Sequence, residues 1–172
     1  MTQPIAMIYD DQLPTLLVAL HPDATTAVLS GHKILEFRKR FFAKPFQAFV
    51  YTTGRGIQFF MRCGAAYQGS PATIAKLGTL VQHSDFAATM RYLGPQKSGV
   101  AVPIQATYRL TSTVTLADLR AVAPQVAIPQ TYTFLDQPQR AKLLTYLTRQ
   151  SYDLHHQVDW RRRQPMVDTL FS

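Results

Sequence analysis

The sequence predicts a mainly β protein: a small mixed barrel with peripheral helices and a helix toward the C-terminus. Three observations carry that prediction. Apolar and aromatic runs such as Leu16-Leu17-Val18-Ala19-Leu20 and Phe46 to Thr52 have the length of strands rather than helices. Helix signals fall between them at irregular spacing, without the sustained alternation of a doubly wound parallel sheet. The 172 residues are enough to bury a core with no metal or disulfide to staple it.

Residues 1–13 are mixed and read as a lead-in, with Ile5, Met7 and Ile8 able to pack. Leu16 to Leu20 reads as a buried strand. Pro22 suits the first turn of a short helix, Asp23 complements that end of its dipole, and Ala24, Ala27 and Val28 share a face. Gly31 lies where a left-handed stop is wanted. Lys33 to Arg40 reads as the next strand, with Leu35 and Phe37 on one face and Glu36 and Arg38 on the other. Phe46 to Thr52 follows, then a turn at Gly54-Arg55-Gly56 and an antiparallel neighbour over Ile57 to Tyr67.

Residues 70–94 read as a helical excursion. Ser70-Pro71 opens one helix, Phe86, Met90 and Leu93 give helical spacing from Asp85 onward, and Gly94-Pro95 ends it. Val100 to Thr113 returns as a strand, and Leu116 to Val122 makes a helical turn. Pro124 and Pro129 bracket a connection. Asp136 to Tyr152 is the strongest helix signal, with Asp136 as N-cap and Leu143, Leu144 and Leu147 as an apolar stripe. The expected organisation is a lead-in over 1–13, a domain over 14–135, and a C-terminal helix with a basic tail over 136–172.

Composition narrows the function classes. A hydrophobic content of 47% with 16% charged residues is that of a globular chain. No run approaches the ~20 apolar residues of a membrane span, and no cationic start precedes an apolar block as in a signal peptide. The single cysteine, Cys63, has no intramolecular disulfide partner. A cytoplasmic protein with no membrane partner is the expectation. The formal net charge of +8 favours a polyanionic partner, and RNA, DNA, nucleotides and anionic membranes all qualify, so charge supports a nucleic-acid reading without selecting it. His21, His32 and His83 are scattered and His155 and His156 are adjacent, so no zinc-like spacing occurs and no metal or cofactor is expected. Gly54-x-Gly56 lacks the longer pattern of a phosphate loop and reads as a hairpin turn.

The chemistry concentrates in Gly31-His32-Lys33-Ile34-Leu35-Glu36-Phe37-Arg38. Side chains at i and i+2 on a strand stand about 6.5–7 Å apart, so Glu36 and Arg38 can pair or line a cleft together, with Lys33 reaching in from the strand entrance. A guanidinium beside a carboxylate supplies a donor fork and an acceptor, a kit suited to a nucleobase or phosphate. From spacing alone, a surface ion pair is the simpler reading. The order strand, Pro-initiated helix, glycine, charged strand, with Gly31, Lys33, Glu36 and Arg38 meeting the pattern G-x-K-x-x-E-x-R, resembles the ASCH domain of the PUA-like superfamily. That resemblance turns the preference toward a site.

The resemblance implies a PUA-like mixed β-barrel whose cleft binds RNA or a modified nucleobase. Pro129-Gln130-Thr131-Tyr132-Thr133-Phe134-Leu135 is similar to the proline-glutamine-aromatic-leucine element that closes the barrel in a bacterial subgroup. The similarity extends over residues 14–135 and is least typical at 70–94. One branch of the superfamily deacetylates acetylated cytidine and has a threonine where this chain has Glu36. An enzyme built on these residues would therefore use Glu36 as general base and Lys33 as electrostatic stabiliser, acting as an amidohydrolase on an acylated nucleoside. A ribonuclease is the other enzymatic alternative.

Rings and cations interleave around the signature. Lys33, Glu36, Arg38, Arg40 and Tyr51 are the expected ligand-binding residues. Lys39, Lys44, Arg55 and the run Arg161-Arg162-Arg163 are the expected nucleic-acid rim, although Trp160 to Arg163 also suits a solvated tail or an oligomer contact. Phe37, Phe41, Phe46 and Phe49 are expected in the core, with Phe42 less readily assigned. The expected partner is RNA or a nucleoside or nucleotide ligand, and nothing in the sequence sets an oligomeric state.

Overall fold

A computed structural model describes residues 1–171. They form a mixed nine-stranded sheet with helices packed on it. The first strands are β1 (Gln3–Pro4) and β2 (Thr15–Leu20), followed by α1 (Pro22–Leu29) and β3 (Leu35–Arg38). A hairpin of β4 (Phe46–Thr52) and β5 (Gly56–Cys63) leads to the short β6 (Tyr67–Gly69). Two helices, α2 (Pro71–Gln82) and α3 (Phe86–Leu93), precede the long β7 (Gly99–Val114). The chain ends with α4 (Leu116–Val122), β8 (Tyr132–Phe134), α5 (Ala141–Thr148), β9 (Ser151–Gln157) and α6 (Trp160–Phe171).

The strands order as β1-β9-β7-β5-β4-β2-β8, with β3 and β6 also on β7. Pairing is antiparallel except between β2 and β4, which run parallel through the crossover of α1 and β3. The expected closed barrel is corrected: the sheet is open, and among the described residues the end strands β1 and β8 do not pair. Closure needs strands at both ends with free ladder to offer each other. Here the ends are ladders of two and three residues, spent on β9 and β2.

The uniform apolar run of β2 follows from burial on both faces. Leu17 joins Phe49, Tyr51, Phe60 and Tyr108 in a core capped by Leu119, Leu143 and Leu147. Leu16, Val18 and Leu20 point the other way, onto Val50, Phe59, Val100, Val102 and Val28 of α1. A third cluster joins Ile34, Leu35 and Ala101 to Ile74 and Leu77 of α2 and Val167 of α6. Phe46 and Phe49 are fully buried, while Phe37, Phe41 and Phe42 pack at the margins of these clusters.

Local chemistry explains most helix boundaries. Pro22 opens α1 with Asp23 in its first turn, and Gly31 takes a φ of +83° two residues after the helix. Ser70 and Asp85 accept hydrogen bonds from the Thr73 and Ala88 amides as the caps of α2 and α3. Thr115 and Asp118 close a capping box on α4.

Three segments differ from expectation. Asp136 to Tyr152 is not one helix: a 3-10 turn at Pro138–Arg140 precedes α5, and from Ser151 the chain turns into β9. The ladder from Ala106–Leu110 of β7 to Tyr152–Gln157 takes those residues out of the helix. The basic tail is helical, its Trp160 indole donating to the Ile104 carbonyl at 2.8 Å and Val167 buried. Ile57 to Tyr67 divides into β5 and β6, and only Leu35–Arg38 of the strand expected over 33–40 enters a ladder. In the lead-in Ile5 is fully buried, Ile8 packs against the core and Met7 is exposed. No helix among the described residues is long and apolar enough to cross a membrane.

Two consequences can be measured. Gly56 has φ +135°, and a Cβ there would land against the Val114 carbonyl oxygen and the Thr113 methyl. Gly56→Ala should therefore destabilise the protein by about 1–3 kcal/mol in denaturant unfolding. Gly54→Ala, with φ +79° and open space around its Cβ, should cost about 1 kcal/mol. The Cys63 thiol is raised well above its usual range by burial, with Glu36 adding to the rise. Its proton is kept in the folded state and lost in the unfolded one above about pH 8.5. Stability is thus full below that pH and falls as pH rises through it. Native Cys63 should resist alkylation until the chain unfolds, and Cys63→Ala should flatten the first part of the alkaline stability loss. The loss nearer pH 10, driven by buried tyrosines such as Tyr108, should remain.

Candidate functional site

The antiparallel register of β3 on β7 aims the signature side chains. Glu36 lies opposite Val102 and Arg38 opposite Val100, so both face the cluster under α1, while Leu35 and Phe37 turn toward α2. The strand's start is pinned from α2, where the Gln82 side-chain oxygen accepts from the Ile34 and Leu35 amides at 2.8 and 2.9 Å. The Lys33 amide donates to the Ala27 carbonyl of α1 at 3.0 Å. Lys33 therefore enters the site from a fixed backbone.

Glu36 is buried at 9% exposure between two cations. Its Oε1 accepts from Arg38 Nε at 3.1 Å, and its Oε2 lies 3.5 Å from Lys33 Nζ. The second contact is an ion pair without a hydrogen bond, since Oε2 has no donor among the described residues. Arg38 also donates from Nη2 to the Ala19 carbonyl at 3.0 Å and lies over the Phe41 ring. The Lys33 ammonium sits 5.1 Å from the centre of the Phe37 ring. That ring is wedged against Gly78, where even a Cβ would meet Phe37 Cζ.

Lys33, Glu36 and Arg38 line one cavity of about 640 Å³. Its other walls are the end of β2 with His21, Thr53 after β4, Ala88, Thr89 and Tyr92 of α3, and the Ile128-Pro129-Gln130 loop. The two sequence regions that carried the resemblance thus meet across one space. Burial pushes the Tyr92 phenol up, with Arg38 opposing and Glu36 reinforcing, so it stands protonated beside the cation pair. Its ring is half exposed at the mouth, 5.9 Å from Lys39 Nζ.

The remaining expected residues lie elsewhere. Tyr51 is 8% exposed and packed in the core with Phe49 and Ile57, outside the cavity wall. Arg40, Lys44 and Arg55 are exposed and do not line the cavity. Arg161 and Arg162 are exposed on α6, and Arg163 donates to the Asp159 carbonyl at 2.8 Å. Lys39 alone of the expected rim reaches the mouth, through Tyr92. Sequence reasoning did not single out His21, Thr53, Thr89 or Tyr92. Gln130 belongs to the Pro129 to Leu135 element and His21 directly follows the Leu16 to Leu20 run, but the helical spacing of 85–93 drew attention to Phe86, Met90 and Leu93 instead. Of these Leu93 is buried and Phe86 is 44% exposed.

No family model matches the chain, and no curated protein does. Solved structures do. The crystal structure of the ASCH protein from Zymomonas mobilis superposes with a TM-score of 0.67 at 21% identity, covering 85% of this chain and 99% of that one. A serine-to-alanine variant of the same protein gives 0.68 at 20% identity over 78% and 96% of the two chains. At such identity the likeness is one of fold. This chain therefore has the ASCH fold that its glycine–lysine–glutamate–arginine signature led us to expect, with its sheet left open rather than closed into a barrel.

Proposed function

We propose that the protein binds RNA or a nucleobase-bearing ligand in the cavity between β3, α3 and the Pro129–Gln130 loop. The observation that carries this reading is the convergence of the Lys33 and Arg38 cations with the half-exposed Tyr92 ring on one cavity of about 640 Å³. That volume lies within the roughly 300–1,000 Å³ usual for small-ligand sites. Cations that meet oxygen acceptors and an aromatic ring that can stack on an unpaired base are the two elements of single-stranded RNA recognition. The excess of 18 basic over 10 acidic residues would gather such a polyanion from solution. Hydrolysis of an acylated nucleoside would need Glu36 as a free base. Both of its oxygens already face cations, which favours binding over hydrolysis.

Thermal-shift titration against nucleosides, modified nucleosides, nucleotides and short RNAs tests the proposal. At least one of these should stabilise the wild type, and Arg38→Ala and Tyr92→Ala should each weaken it about tenfold, some 1.4 kcal/mol. Stabilisation by long RNA alone, erased in moderate salt and equal in both variants, would move the binding to the exposed basic surface.

A further inference from the structure

The geometry points to Glu36 as the residue that positions Lys33 and Arg38, and to a phosphoryl group as the part of the ligand those two cations hold. This deepens the nucleic-acid reading of the cavity and rests on it. Glu36 is the obvious candidate for reading a base amino or imino group, but both of its oxygens already face the two cations. Oε1 is taken by Arg38 Nε at 3.1 Å. Oε2 is sealed from solvent behind the Lys33 ammonium and has no hydrogen-bond donor of its own. A ligand N–H therefore cannot reach Oε2 while Lys33 keeps its place, and at Oε1 it would have to share the oxygen with Arg38.

The two cations are each held from several sides. Arg38 is fixed by Glu36, by the Ala19 carbonyl and by the Phe41 ring. Lys33 is fixed by Glu36 and by the Phe37 ring that Gly78 backs. What they leave open are donors: Arg38 Nη1 makes no hydrogen bond within the described residues, and the Lys33 ammonium makes an ion pair but no hydrogen bond. Lys33 and Arg38 against Glu36 leave the charged lining with a balance of +1. A fork and a point charge, fixed side by side and short of one negative charge, match oxygen acceptors that carry that charge. In a nucleic acid the phosphoryl oxygens are that group. They come either from the terminal phosphate of a mononucleotide or from an internal phosphodiester.

Isothermal titration of the full chain with inorganic phosphate, the four ribonucleosides, their 5′-monophosphates and dinucleoside monophosphates tests this. Wild type should bind at least one phosphate-bearing ligand tenfold or more tighter than the matching nucleoside. Tighter 5′-monophosphates indicate a terminal phosphate, and tighter dinucleoside monophosphates an internal one. Lys33→Met, Arg38→Gln and Glu36→Gln should each cut that ratio to within about threefold of unity. Because the readout is a ratio between two ligands on the same folded variant, a general loss of structure does not imitate it. A Glu36→Gln variant that weakens nucleosides and nucleotides by the same factor would make Glu36 a direct base reader and overturn the inference. Nucleoside binding with no gain from phosphate would overturn it too, while leaving the nucleic-acid reading intact. Inorganic phosphate held through Lys33 and Arg38, with no nucleoside or nucleotide bound, would do the reverse. Silence from every probe would overturn both.

Discussion

Every ladder that places the site leads back to β7. Over sixteen residues its edges carry four strands, β3 and β6 along its first part and β5 and β9 along the rest. β3 has no other strand partner among the described residues, so its register on β7 decides which way the signature points. A slip of one residue would turn Glu36 and Arg38 toward α2 and put Phe37 under α1. It would bury two charges against Ile74 and Leu77 and take the Glu36 carboxylate and the Arg38 guanidinium out of the cavity wall. The hydrophobic pattern that folds the sheet and the charge pattern that builds the cavity therefore enforce the same register.

Within that frame the cost of burying a carboxylate shapes the cavity. Glu36 is only 9% exposed, and its charge adds to the rise that burial imposes on the Cys63 thiol. A charge so placed must be compensated nearby, and Lys33 and Arg38 do so from opposite sides. The compensation works in both directions. The carboxylate draws two flexible side chains to fixed positions that they would not hold in solvent, which lowers the entropy a ligand must remove on binding. Surface ion pairs add little of this kind, because both partners remain hydrated.

Much of this arrangement was legible in the sequence where a signal is local. Pro22, Ser70, Asp85 and Gly31 each solve a problem at one helix end, and each does so where its position implied. Lys33, Glu36 and Arg38 fall within six residues, so strand alternation alone was enough to group Glu36 with Arg38. Tyr51 was misjudged because β4 is buried on both faces, and alternation cannot then say which face meets the cavity. Tyr92, Thr53 and His21 come from separate segments that only tertiary packing joins. The polar stretch from Ser151 to Gln157 carries almost no apolar pattern, since all but the first two of its residues are exposed and the strand exists through its ladder to β7. Barrel closure failed for a related reason: it depends on whether two short end strands have spare ladder, which no residue pattern within either strand records.

The same contrast separates the two kinds of positive charge on the molecule. Arg40, Lys44, Arg55, Arg161 and Arg162 are exposed, and none takes part in the ion pairs found among the described residues. Their field adds up at long range but decays over a Debye length of roughly 8 Å at physiological salt. They can speed the approach of a polyanion without distinguishing one sequence or base from another. Lys33 and Arg38 are 19% and 13% exposed at the side chain, already paired, and aimed by packing. Salt screens them less, and their donors point in fixed directions. If both sets serve one ligand, they divide the work by ionic strength: attraction of the whole chain fades as salt rises, while discrimination within the cavity persists.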